Sequence, residues 1–486
     1  MHREPYEFKS HTILKNGYPR MTVSRTVCLG FLAVILVGAV GLTLPISIAA
    51  GTGYDLPHLF HIALFSSTSA VCVTGLSVVD VGKHFTVFGQ VILALLAQIG
   101  GLGYMTATTV LLLVLRRRLK LRDKIAIQQS LDATGLSGLP ALVKSIIATT
   151  LVFEALGALF MFPTFADASM LPKDVNLLPT FIQQGAYTPL KALWLSIFYS
   201  VSAFNNAGFG LFADNVMSYV TSVPVSLTIA FLIIFGGIGY QFIMEAFLAV
   251  RSSLAGSQHR RIFSLNFKLV LSTTLFLLIA GTIGFLMTES GNPATLGPLG
   301  AGDRLLAAFF QSVTPRTAGF NTIDIGKMSV TGLVITIALM FIGASPGGTG
   351  GGIKTTTFSV LASSTGAVLR GKEDVLCFQR QIPIALILKA VAVVLGSAIV
   401  VIISTICLTL TDPSQLFLGL LYEAVSAFAT VGLSAIGTAN LSLPGQMVLI
   451  PTMYIGRVGV LLLMGALIGD PNPTFVKYPE ENLLVG

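Results

Sequence analysis

Charge is scarce in this chain. Of its 486 residues only 10% are Asp, Glu, Lys or Arg, against 53% hydrophobic, a balance foreign to soluble domains of this length. Cysteine is scarce too: Cys28, Cys72, Cys377 and Cys407 show neither paired nor metal-type spacing, so no disulfide framework and no zinc site is indicated. Only His58 and His61 among the six histidines share a helix face, and they begin a short apolar segment where an interfacial role fits. Enzyme motifs are missing, and no catalytic residue is assigned.

Long apolar runs are what the chain has instead. Residues 27–50, 87–115 and 443–468 are each long enough to cross a hydrocarbon core of about 30 Å as helix. Ser47-Ile48-Ala49 faintly resembles a signal-peptidase site, but the preceding run is about twice a normal signal core and reads as a membrane span. The net charge of +8 comes from clusters around Arg3 to Arg25, Arg116 to Lys144, Arg251 to Lys268 and Arg370 to Arg380. By the positive-inside rule these connections are cytoplasmic, which accounts for the excess charge without nucleic acid. Lipid is the expected surrounding.

Four apolar segments, 59–73, 192–204, 305–313 and 416–430, are too short to cross and have the length of re-entrant helices. Each lies between two long runs, so the chain divides into four units of long helix, short helix, loop and long helix. Approximate limits are 25–118, 139–252, 264–365 and 382–469, between a cytoplasmic segment 1–24 and a tail 470–486. The expected fold is an all-α polytopic membrane protein of eight spans, with both termini cytoplasmic.

Each short segment ends in a matching tetrapeptide: Val73-Thr74-Gly75-Leu76, Asn206-Ala207-Gly208-Phe209, Thr317-Ala318-Gly319-Phe320 and Thr430-Val431-Gly432-Leu433. A dehydrated cation needs oxygen ligands, and backbone carbonyls supply them without a fixed charge that would trap it. Glycine lets the chain turn those carbonyls inward. Helix C-termini aimed at the same point add partial negative charge.

These segments, taken from Ser69, Ser202, Arg316 and Ser426 onward, resemble the four filter segments of the Trk/Ktr/HKT potassium transporter superfamily, and the match covers nearly the whole membrane part. Within it the chain looks like the Ktr membrane subunit, because one span precedes the first short helix where the TrkH branch has two more. The resemblance implies one pseudo-fourfold pore per chain in the plasma membrane, with potassium held at the filter carbonyls. It also implies a homodimer and a cytosolic nucleotide-binding regulatory ring of the KtrA type. Sodium-selective plant relatives carry serine at the first filter glycine; Gly75 here implies potassium. Sodium coupling, found in some Ktr systems, does not follow from these residues.

Asp80, Asp214 and Asp324 lie five, six and five residues beyond three of the glycines and suggest a partial acidic ring at the external mouth. Asn205, Asn206 and Asn321 either orient filter carbonyls or cap loops. In the third unit the second long helix meets Gly343-Ala344-Ser345-Pro346-Gly347-Gly348-Thr349-Gly350-Gly351-Gly352-Ile353-Lys354, and no helix runs smoothly through it. The spacing is not that of a phosphate-binding loop. The resemblance implies the intramembrane gating loop of Trk and Ktr proteins, with Gly347, Gly348, Gly350, Gly351, Gly352 and Lys354 beneath the filter. Arg457, a charge inside the last apolar run, needs partners, and by resemblance it touches that loop. The competing expectation is an alternating-access cation symporter, which usually shows breaks at corresponding positions of two halves. By sequence only the third unit is broken, which favours a gated pore. The tail from Pro479 to Gly486 resembles the Ktr tail at the dimer interface.

Overall fold

A computed structural model describes residues 22–50, 55–103, 139–254, 263–372 and 374–468. The tail carrying the dimer expectation and most of the second basic cluster lie outside the described residues.

The chain is helical, and its elements recur in one order. In the first unit α1 (Val23–Thr43), α2 (Leu56–Val71) and α3 (Val87–Leu102) follow one another. The second has α4 (Leu139–Ala166), α5 (Pro189–Phe204), α6 (Val223–Ile238) and α7 (Tyr240–Leu254). The third has α8 (Leu265–Glu289), α9 (Ala301–Val313), α10 (Val330–Phe341) and α11 (Thr355–Val368). The fourth has α12 (Ile384–Thr411), α13 (Phe417–Phe428), α14 (Leu443–Val458) and α15 (Val460–Ile468). Four single helices of the described residues are long and apolar enough to cross a membrane, and two bent pairs bring the total to six.

Polar caps start these apolar helices where the chain re-enters the bundle. Ser329 and Ser442 cap α10 and α14 and are in turn held by buried acids at the ends of the preceding long helices. Glu289 accepts the Ser329 N–H at 3.0 Å and Asp412 the Ser442 N–H at 2.7 Å. A buried carboxylate at a helix start meets unpaired N–H groups and the positive end of the dipole.

Small residues set the distance between helices. A Cβ on Gly100, Gly236 or Gly456 would stand 2.2, 1.9 or 1.7 Å from the carbonyl oxygen of Val71, Phe204 or Phe428, the last residues of α2 and α5 and of α13. Gly38, Gly157 and Gly281 make the same approach, at 2.4 Å, to the hydroxyls of Ser67, Ser200 and Ser312 on the short helices. Close backbone approach of this kind is how helices associate where burial from water does not drive them.

The units close on themselves. Each short helix packs against the first long helix of its own unit and also against the second long helix of the unit before it: α3 on α5, α6 on α9, α10 on α13, and α14 on α2. A hydrogen bond of 2.7 Å between His61 of α2 and Gln446 of α14 joins the last unit to the first.

The expectation of a single break, in the third unit, is corrected. The chain bends by 101° between α6 and α7, at Gly239, and by 95° between α14 and α15, at Gly459. Both glycines have a left-handed backbone, φ +97° and +88°, and Gly103 after α3 shares it at +81°. One positive φ ends a helix, so a lone glycine breaks an apolar run that hydropathy reads as continuous. The repeated signal was present as Gly100 to Gly103, Gly236 to Gly239 and Gly456 to Gly459.

Candidate functional site: a ring of four loops over a glycine strap

The four tetrapeptides meet at the centre of the closed bundle. A Cβ on Gly75 would lie 2.6 Å from Ala207 O, and one on Gly208 would lie 2.8 Å from Ala318 O. On Gly319 it would lie 2.6 Å from Val431 O, and on Gly432 2.1 Å from Thr74 O. Each glycine thus faces the carbonyl of the next loop, and the circuit returns to its start. A Cβ at any of the four positions would force the neighbouring loop's backbone to shift.

The backbone explains how carbonyls line this ring. Val73, Asn206, Thr317 and Thr430 all have positive φ, between +52° and +65°, and so do Gly75, Gly208, Gly319 and Gly432 two residues later. Left-handed conformation in Val or Thr is a genuine outlier, and strain of this kind costs of order 1–3 kcal/mol per residue. Alternating handedness turns successive N–H groups to one side of the chain and so turns the carbonyls to the other. The N–H side is tied outward to the unit's own short helix: Thr74 N to Ser69 O at 2.7 Å, Ala207 N to Ser202 O at 2.7 Å, Ala318 N to Thr314 O at 3.0 Å and Val431 N to Ser426 O at 2.8 Å. The side chains of the same four residues add a second tie, from Gly75 N and Gly432 N to Ser69 and Ser426, and to the carbonyls of Phe209 and Phe320 from Ser202 and Thr314. Among the described residues no hydrogen bond ends on the carbonyls of Thr74, Ala207, Ala318 or Val431. Oxygens buried without partners are costly and invite a cation.

The strap, 342–354, separates α10 from α11 and lies against one face of the ring. Gly351 N donates to Thr430 Oγ1 at 3.1 Å, and Cβ atoms on Gly350 and Gly351 would overlap the Thr317 and Thr430 side chains. Within itself the strap is tied by Gly343 N on Ile353 O at 2.8 Å, and further ties reach the bend of the second unit, with Ser345 N on Gly237 O at 2.9 Å and Thr349 N on Gly236 O at 3.0 Å. Lys354 turns inward and donates to Gly350 O at 2.9 Å. Arg457 stands in the last turn of α14 and donates to three carbonyls: Thr349 on the strap, and Gly100 and Gly101 at the end of α3. A cavity of about 250 Å³ opens on this side, lined by Gly347, Gly348, Gly350, Lys354 and Arg457.

A larger cavity, about 830 Å³, opens beyond the glycines and is lined by Asp80, Asn215, Gly319, Asp324 and Gly432. The three aspartates each start a tight turn. Asp80 accepts from Gly82 N and Asp324 from Gly326 N, both at 3.1 Å, and Asp214 accepts from Ser218 N at 2.9 Å. Asp80 and Asp324 also pair with Lys83 and Lys327 at 3.4 and 2.9 Å, so both acids at this cavity have a lysine beside them. Burial pushes the Asp80 carboxyl above its ordinary range, against the pull of Lys83. Asn205 donates to Glu154 Oε1 at 2.9 Å and Gln98 Oε1 at 2.8 Å, behind the second loop, and Asn321 donates to Ile323 O at 3.2 Å within its own turn.

Sequence reasoning assigned no role to Ser69, Ser202, Thr314 and Ser426, nor to Glu154. Small hydroxyls in apolar helices are common, and only their recurrence five or six residues before each glycine marks them.

An apolar bundle with a ring of uncharged backbone oxygens at its centre has the build of an integral membrane protein that moves cations. Residues 40–477 match the family model TrkH, cation transport protein, and the chain belongs to that family. It is 40% identical to Ktr system potassium uptake protein B of Vibrio alginolyticus over 97% of this chain and 96% of that one. It is 35% identical to the potassium/sodium uptake protein NtpJ of Enterococcus hirae over 98% and 100%. The crystal structure of the potassium transporter TrkH from Vibrio parahaemolyticus superposes with a TM-score of 0.65 at 19% identity, covering 91% of this chain and 85% of that one, and shows a shared fold. The relatives are transporters, not enzymes.

Proposed function

We propose that this chain is the ion-conducting membrane subunit of a Ktr-type potassium uptake system, a selective and gated pore in the plasma membrane. The closed ring of four glycine loops, in which the carbonyls of Thr74, Ala207, Ala318 and Val431 accept no hydrogen bond among the described residues, carries the reading. Potassium at these oxygens is substrate, not cofactor, and the names of the relatives support the ion. The short helices are then re-entrant, the chain crosses eight times, and both termini are cytoplasmic. The strap of Gly347 to Gly352 with Lys354 and Arg457 is the gate, closing the inner side of the ring sterically and by positive charge. A homodimer and a cytosolic nucleotide-binding ring complete the assembly, and sodium coupling belongs with the relative named for both ions. The recurrence of broken helices at Gly239 and Gly459 favours one alternative, a carrier working by alternating access.

The test is rubidium uptake into liposomes holding the purified full-length chain, with sodium or potassium as competitor. Fast uptake blocked by potassium and little affected by sodium is expected of the pore, and a slow turnover set by conformational cycling is expected of the carrier. Absence of any rubidium uptake by correctly assembled protein would remove both.

A further inference from the structure

One position on the short helices, three residues before the serine or threonine that ties each loop, is fully buried in all four units: Ser66, Tyr199, Gln311 and Glu423. The four side chains differ in what they hold. Ser66 Oγ has no hydrogen-bond partner, and Gln311 reaches only the Met328 sulfur, at 3.9 Å. Tyr199 Oη accepts from Leu211 N and Phe212 N at 3.0 and 3.1 Å and donates to Asn215 O at 3.0 Å, bracing the chain just beyond Gly208. Glu423 does the same across the ring. Its carboxylate accepts from the hydroxyls of Ser434, on one oxygen, and of Thr438, on the other at 3.1 Å, in the turn just beyond Gly432.

Bracing is therefore strong in the second and fourth units, which face each other, and weak in the first and third. The fourth unit is also the one without an aspartate at the mouth. Asp80, Asp214 and Asp324 organise their turns from within, whereas the turn 434–438 is organised from behind by a buried acid on α13. Each carboxylate oxygen thus takes one hydroxyl of the turn, Ser434 at one end and Thr438 at the other. An amide at that place keeps only one acceptor oxygen and must turn its N–H₂ toward the other hydroxyl.

We propose that Glu423 is a positioning residue for ion selection: it fixes the turn 434–438 and through it the spacing of the Val431 and Gly432 carbonyls in the fourth quadrant. The assignment rests on the pore reading above. Ser434, Gly437 and Thr438 line the outer cavity together with Gly432, so a shift of this turn moves groups that face the entering ion.

The experiment compares rubidium uptake and its inhibition by sodium for full-length wild type, Glu423→Gln, Glu423→Asp, the double variant Ser434→Ala/Thr438→Val, and Ser66→Ala, each first checked for monodisperse elution. Loss of one carboxyl acceptor should let sodium compete about tenfold better in Glu423→Gln. Glu423→Asp should recover part of the discrimination. The Ser434/Thr438 double variant should reproduce the defect and add little to Glu423→Gln, as expected of groups in one network. Ser66→Ala, at the unbraced counterpart, should stay within about twofold of wild type. An unchanged sodium competition in folded Glu423→Gln overturns the proposal. If that variant does not assemble, unchanged competition in the Ser434/Thr438 variant, which leaves α13 intact, overturns it instead. Wild-type vesicles that take up no rubidium would sink the pore reading and this assignment with it, whereas normal wild-type uptake with unaltered variants sinks this assignment alone.

Discussion

Each loop of the ring is tied to the short helix of its own unit, whereas the strap at 342–354 is held, beyond hydrogen bonds within its own unit, by groups of other units. The ring's N–H groups reach back four to six residues to Ser69, Ser202, Thr314 and Ser426, bonds that survive any relative motion of the units. The strap depends on Gly236 and Gly237 of the second unit, and on Thr430 and Arg457 of the fourth. A segment held from outside loses its ties when the units shift, and a glycine-rich one loses no side-chain packing in doing so. The comparison teaches which part can be rigid while the other moves: under the proposed pore, selection would belong with the first and regulation with the second.

The largest effect should come from the ring. Gly208→Val, Gly319→Val and Gly432→Val place a branched side chain against a neighbouring carbonyl at a positive φ, and each should lower rubidium uptake by about a hundredfold or more. Near-normal uptake in all three would remove the filter assignment. Gly75→Ser is milder: with its Cβ 2.6 Å from Ala207 O it should shift that quadrant and cut the preference for potassium over sodium by about tenfold. Ion competition in vesicles measures it directly.

The strap should respond in the opposite sense. Deleting Gly347 to Gly351 should raise basal uptake several-fold and reduce its dependence on the cytosolic partner. Arg457→Ala should act in the same direction where it folds, because the guanidinium joins the strap to the end of α3. An unchanged rate and unchanged regulation in the deletion would leave the strap a mere break in a helix. Thr430→Val, removing the single acceptor for Gly351 N, loses about 1 kcal/mol of hydrogen bonding and should raise basal uptake by at most about fivefold. The smallest effect belongs to the mouth. Asp80→Asn, Asp214→Asn and Asp324→Asn together should lower uptake by about twofold at low ionic strength and by less as salt rises. Lys83 and Lys327 already offset two of the three charges, and a loss independent of salt would mark the acids as turn-formers only.

Much of the architecture was legible because hydropathy and length are local properties. An apolar run declares a membrane helix wherever it stands, and four glycines at matching places declare four left-handed turns. The bends at Gly239 and Gly459 escaped because a lone glycine hardly alters the hydropathy of its run. Val73, Thr317 and Thr430 gave no sign of their positive φ, since β-branched residues avoid that region unless their surroundings impose it. Glu423 was unremarked because one acid in a short apolar helix has no periodic signature.

By itself the sequence determined that the chain lives in lipid, that it is built from repeated helical units, and that glycine stands where each short helix ends. These follow from solvent and from backbone sterics, which act on neighbours in the chain. Only the tertiary structure decided that the four turns close into one ring, that the strap lies against Thr317 and Thr430, and that Arg457 reaches Thr349 and Gly100. The last contact spans 357 residues of sequence. Such pairings depend on how helices pack at close range, a sum over many contacts that no local pattern of residues records.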